Sequence, residues 1–110
     1  MELIARRDVW PRITSLAEGV GGGQRLAAVA YLGAGAFDML PMSVGDTLVV
    51  DCSPLTAAAG ATSPAEVGRY LDAGVDVYRW DGLHAKVYVL GDTAVVGSAN
   101  ASGALEPGPR

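Results

Sequence analysis

Apolar positions recur along this chain with two different periods, and the changes between them mark its elements. From Asp8 to Glu18 they fall three and four apart, at Val9, Ile13 and Leu16, which predicts a first helix. Pro11 fits that helix only in its first turn, where a missing N–H has no partner to lose. The run Gly19-Val20-Gly21-Gly22-Gly23 then stops it and makes a connector. Arg25 to Leu32 is almost continuously apolar and predicts a strand covered on both faces. Gly33 to Pro41 leaves room for a short helix. Gly45-Asp46 turns the chain into Thr47–Cys52, a strand rich in β-branched residues.

A small-residue loop from Thr56 to Thr62 leads to a clear helix start. Ser63 is the N-cap, Pro64 the first helical residue, and Glu66 stands where a capping box places its carboxylate. Val67, Tyr70 and Leu71 form the apolar stripe, and Gly74 ends the helix. Three more strands follow, at Val75–Trp80, Leu83–Leu90 and Thr93–Gly97, the last two joined through Gly91-Asp92. Strands alternating with helices predict an α/β fold of three layers. Its mostly parallel, mixed sheet is flanked by helices and ends in an antiparallel hairpin.

The length of 110 residues suits one domain. Residues 25–102 are its expected core, and residues 103–110, rich in proline and glycine, a flexible tail. No apolar stretch approaches the ~20 residues of a membrane span, and the N-terminus has no secretory pattern. The expectation is a soluble, cytoplasmic protein without integral membrane association. Its single cysteine, Cys52, has no partner for a disulfide or a zinc site and reads as a small core residue. The formal charge of −4 argues against a broad basic face for gripping a nucleic-acid backbone. A few cations in one cleft can still outweigh it locally.

One place changes the picture. The chain has one histidine and one lysine, His84 and Lys86, two residues apart in a predicted strand, where alternation puts both on one face. As structural residues they would be a hydrogen-bonded boundary histidine and an edge-strand lysine that discourages aggregation. The next strand, however, ends in Gly97-Ser98-Ala99-Asn100. Across a two-residue turn, Ser98 and Asn100 fall beside the His84 end. An imidazole nucleophile with ammonium, hydroxyl and carboxamide donors suits an anionic tetrahedral group.

Leu83-His84-Ala85-Lys86-Val87-Tyr88-Val89 followed by Val95-Val96-Gly97-Ser98-Ala99-Asn100 resembles the signature of the phospholipase D superfamily. Ala30-Tyr31-Leu32-Gly33 and Gly45 to Asp51 are similar to small bacterial, nuclease-type members, so the resemblance covers about residues 25–102. It implies a phospholipase D-like half-domain with metal-independent phosphodiesterase activity. His84 would form a phosphohistidine or act as the acid, Lys86 would bind phosphoryl oxygens, and Ser98 and Asn100 would complete the phosphate pocket. It implies no cofactor and no metal. Because a second histidine is needed, it also implies a homodimer or a second motif-bearing half. Nucleic acid is the expected phosphodiester, since no basic amphipathic helix marks a lipid-facing surface. The chain departs from the family pattern at Gly91, where an aspartate is expected. Asp92 comes one residue late, and Glu106 is the only acidic residue beyond it.

Two other readings compete. The chain could be a non-catalytic half-domain serving as a partner or oligomerisation module, with Trp10 and Trp80 as interface or core residues. Gly33-Ala34-Gly35 after a strand, with Asp51 ending the next, also suggests a Rossmann-like nucleotide binder. That motif lacks its third glycine, because position 38 is Asp38.

Overall fold

A computed structural model describes residues 9–21 and 24–97. The elements in chain order are α1 (Val9–Glu18), β1 (Arg25–Val29), α2 (Ala36–Met39), β2 (Thr47–Val50) and α3 (Pro54–Ala58). They are followed by α4 (Pro64–Asp72), β3 (Asp76–Arg79), β4 (Lys86–Leu90) and β5 (Thr93–Val96). The five strands form one sheet in the order β3-β2-β1-β4-β5. β1 pairs parallel with β2, and β2 with β3, whereas β4 runs antiparallel to both β1 and β5. The α/β class and the mixed sheet closing on a hairpin are therefore present.

The three-layer arrangement is not reproduced by the described residues. A single core lies on one face of the sheet. Ala27, Val29, Leu48, Val50, Tyr88, Leu90 and Val95 meet Ile13 and Ala17 of α1, Ala36 of α2, Leu40 just after it, and Tyr70 of α4. The cause is the direction of travel. The chain steps from β1 to β2 to β3 without reversing, so two right-handed crossovers leave their helices on the same side. On the opposite face, Leu26, Tyr78 and Val96 are exposed. The expectation that β1 would be covered on both faces is corrected accordingly.

Local signals explain the helices. Ser53 and Ser63 each accept the backbone N–H three residues on, from Thr56 and Glu66, and each is followed by proline. The first of these starts, α3, falls after the predicted strand Thr47–Cys52 and runs into the stretch from Thr56 that the sequence presents as a loop. At the second, the capping box is only half made. Glu66 Oε1 instead accepts the N–H of Phe37 at 2.9 Å, tying α4 to α2. The N–H of Ser63 donates to Leu32 O at 2.8 Å. In the stripe of α4, Tyr70 is fully buried and donates to Leu40 O at 2.8 Å, but Leu71 is exposed.

A buried ion pair joins the lower ends of the strands. Arg25 Nε lies 2.7 Å from Asp46 Oδ2, with the side chains 9% and 0% exposed. Asp46 also accepts the N–H groups of Arg25 and Ser43. The Arg25 guanidinium donates to Ala17 O, Pro41 O and Ser43 Oγ. Both charges are thus held by backbone and hydroxyl partners, which buried charges require.

Candidate functional site

The strand order dictates where the candidate residues stand. β3 lies at one edge of the sheet, yet the next strand, β4, pairs with β1. The connection must cross the carboxyl ends of β2 and β1, about 14 Å at ordinary strand spacing. Residues 80–85 make that crossing. The Trp80 amide donates to Val50 O at 3.0 Å, Leu83 closes a turn by donating to Trp80 O, and Ala85 O accepts from Ala30 at 2.8 Å. His84 is exposed on this crossing segment and Lys86 begins β4, half-buried.

The strand predicted from Leu83 therefore starts later. His84 precedes the ladder, and strand alternation does not by itself fix its side chain. For Lys86 alternation does hold. It shares a face with Tyr88 and Leu90, in register with Val29 of β1. Val29 pairs in turn with Val50, and Val50 with Arg79, so Lys86 and Arg79 close the two ends of one cross-sheet row. Neither the His84 nor the Lys86 side chain has a hydrogen-bond or ion-pair partner among the described residues.

The β4–β5 hairpin has the expected two-residue turn, with Leu90 opposite Thr93 and Val87 opposite Val96. The Gly97 amide donates to Lys86 O at 3.1 Å, which brings the start of the Gly-Ser-Ala-Asn sequence beside Lys86. Ser98 and Asn100 lie outside the described residues. Gly91 has φ +68°, a left-handed value that glycine adopts without strain. It stands five residues beyond Lys86, about 17 Å along the strand. An aspartate at this position would be far from the His84 end.

Other charged groups at the same edge are already engaged. Asp81 forms a two-pronged pair with Arg79, Nε to Oδ1 at 2.6 Å and Nη2 to Oδ2 at 2.7 Å. The Arg79 hydrogen bond lowers the Asp81 pKa, and the same contact raises that of Arg79. Asp51 is buried at the end of β2. Its Oδ1 accepts the Ser53 amide at 3.1 Å and its Oδ2 the Gly82 amide at 3.1 Å. The Ser53 backbone donor is the largest cause of its lowered pKa, with further lowering from the Ser53 and Thr56 side chains and the Gly82 amide against an opposing burial effect. The sequence presents Asp51 as a nucleotide-binding carboxylate, and nothing local reveals that it holds the β3–β4 crossing.

These contacts count against the Rossmann-like reading. Asp51 is occupied by backbone donors, and α2 has only four residues, too few for a phosphate-holding dipole. Trp10 packs edge-on against Tyr88, centroids 5.4 Å apart, while Trp80 is 65% exposed at the start of the crossing. Among the described residues, no group of three histidine, cysteine or acidic side chains could hold a metal ion. An open depression of about 500 Å³ lies at the opposite end of the sheet, between α1 and the β4–β5 turn, and contains neither His84 nor Lys86. No family model matches the chain, and comparison with curated proteins and with solved structures returns no match.

Proposed function

We propose that this chain is a phospholipase D-like half-domain that hydrolyses phosphodiesters through a phosphohistidine, without a metal. The observation that carries the reading is the Gly97–Lys86 backbone bond. It sets Gly97, the residue before Ser98, against Lys86, which stands two residues after His84. In this reading His84 Nε2 attacks phosphorus while an acid protonates the departing oxygen, and water then cleaves the P–N bond. Lys86 neutralises the phosphoryl oxygens, with Ser98 and Asn100 as further donors. The acid is a second copy of His84 in a homodimer, or the histidine of another motif-bearing half. The substrate is a nucleic acid rather than a lipid, and the compartment is the cytoplasm. No described helix is long and apolar enough to cross a membrane. Turnover of a chromogenic phosphodiester in EDTA, wild type against His84→Asn, tests this. Activity in the first and none in the second is expected, and equal rates overturn it.

A second reading draws support from the sheet face that no described helix of the core covers. Leu26, Tyr78 and Val96 are exposed there, on a surface that a partner could bury. In that reading the chain is a non-catalytic half-domain whose role is to assemble with an active one. Absence of turnover in wild type, together with a partner-dependent gain of activity, would favour it.

A further inference from the structure

The β3–β4 crossing carries the one histidine of the chain, and it is a short segment with a long way to go. Residues 80–85 could span about 20 Å fully extended, and they cross about 14 Å while also making a turn. A segment with so little slack takes its shape from its attachment points. At its start the Trp80 amide is bonded to Val50 O, and near its end Ala85 O is bonded to the Ala30 amide. Both are continuations of the sheet ladders.

Between them the Gly82 amide is bonded to a side chain, the Asp51 carboxylate, at 3.1 Å. This contact belongs to no ladder. Gly82 has φ +77°, so its amide is presented by a turn that other residues would adopt only with strain. Asp51 is itself rigid. It is 6% exposed, its Oδ1 accepts the Ser53 amide, and its own carbonyl accepts the Thr62 hydroxyl at 2.8 Å. Thr62 in turn accepts the Leu32 amide from the segment after β1.

We infer that Asp51 is a positioning residue for His84, acting through Gly82. His84 stands two residues after the Gly82 attachment and one before that of Ala85, so its backbone is held on both sides. The carboxylate is the only one of these attachments made by a side chain, and hence the only one that a substitution can remove. A charged acceptor on a backbone N–H makes a stronger bond than a neutral one. The change Asp51→Asn would keep one acceptor oxygen and lose the second, and Asp51→Ala would lose both. The inference concerns the placement of His84 and rests on the proposed phosphodiesterase reading only for its effect on rate.

Two measurements separate the two claims. The first is amide hydrogen exchange at Gly82, read with the His84 ring resonances, in wild type, Asp51→Asn and Asp51→Ala. Exchange at Gly82 should rise at least ~10-fold in Asp51→Ala and less in Asp51→Asn, with altered His84 resonances and core amides of β1 and β2 still protected. Should Asp51→Ala fail to fold, Asp51→Asn alone decides the point. Unchanged Gly82 exchange and unchanged His84 resonances in the folded variants would overturn the inference, leaving Asp51 a local partner of Ser53. The second is diester turnover. Asp51→Ala should lose about 10²-fold in kcat with KM little changed, the cost typical of a misplaced reacting group, and Asp51→Asn should recover part of it. A full loss of kcat with Gly82 and His84 undisturbed would also count against positioning. A wild type that equals His84→Asn would instead overturn the phosphodiesterase reading and leave the exchange result standing.

Discussion

The Gly97 amide donates to the Lys86 carbonyl at 3.1 Å, so these two residues of the candidate motif are adjacent although ten residues lie between them in the chain. Lys86 is half-buried at the start of β4 and no described side chain neutralises it. Lys86→Ala should therefore lower diester turnover by about 10²–10³-fold, the usual cost of removing one charge-stabilising donor. His84→Asn should leave no measurable rate. Matching steady-state kinetics of the two variants in EDTA checks both, and a Lys86→Ala rate close to that of wild type would contradict the assigned role.

Replacing Gly91 by aspartate would restore the superfamily pattern, yet it should not raise activity. Position 91 is about 17 Å along β4 from Lys86. The backbone there has φ +68°, and an added Cβ would stand 3.3 Å from Val20 Cγ2. Gly91→Asp should lose about 1–2 kcal/mol from the left-handed backbone alone. Urea denaturation together with kcat/KM measures both effects. A gain in rate would show that the family aspartate acts over a distance that this geometry does not explain.

The buried Arg25–Asp46 pair should be a sensitive point for stability. Asp46→Ala leaves the guanidinium inside the protein without its counter-charge and frees two backbone N–H groups. Loss of one partner from such a pair typically costs about 3–5 kcal/mol. The chain should then be largely unfolded or melt far below wild type, as circular dichroism would report. A melting temperature within a few degrees of wild type would mean that water enters and replaces the carboxylate.

Acid should weaken the hold of Asp51. Its pKa lies below the ordinary 3.8, mainly because the Ser53 amide donates to the ionised form. A lowered folded-state value means that the stabilisation is complete above the unfolded value and fades as pH falls through the folded one. The stability gap between wild type and Asp51→Asn should therefore be constant from about pH 7 to about 5 and narrow below about 4. Denaturant titrations across that range test it, and a gap that widened in acid would reverse the assignment.

Much of the fold is legible in the sequence because its signals are local. Ser63-Pro64 announces α4, Gly91-Asp92 announces the hairpin, and the β-branched run after Gly45-Asp46 announces β2. Ser53-Pro54 is the same signal as Ser63-Pro64 and marks α3 just as well, but small residues after it read as a loop. What local pattern could not give is strand order. Whether β4 follows β3 or inserts beside β1 is decided by the core. Tyr88 and Leu90 must meet Trp10 and the other face-sharing side chains.

The same reason hides half of the candidate site. His84 and Lys86 stand out as the only residues of their kinds, whatever the topology. Asp51 does not, because its partner Gly82 is thirty-one residues away and the donor is a backbone N–H with no signature of its own. The expectation that His84 sits within a strand failed for a related reason. The crossing needs residues without a ladder, and it takes them from the start of the predicted strand Leu83–Leu90.

The insertion of β4 beside β1 also sets the order in which the molecule can be completed. A nascent chain emerging only as far as β3 has a three-stranded sheet whose β1 edge is bare. It lacks Tyr88, Leu90 and Val95, three of the core's side chains. The missing hairpin is local and can form within microseconds, but its seat lies some sixty residues back along the chain, on Arg25–Val29. Docking of β4–β5 on β1 is thus the longest-range strand pairing of the sheet, and an unpaired β1 edge is what it covers. Synthesis arrested between β3 and β4 should yield a chain that chaperones retain, and release should coincide with the arrival of residue 96.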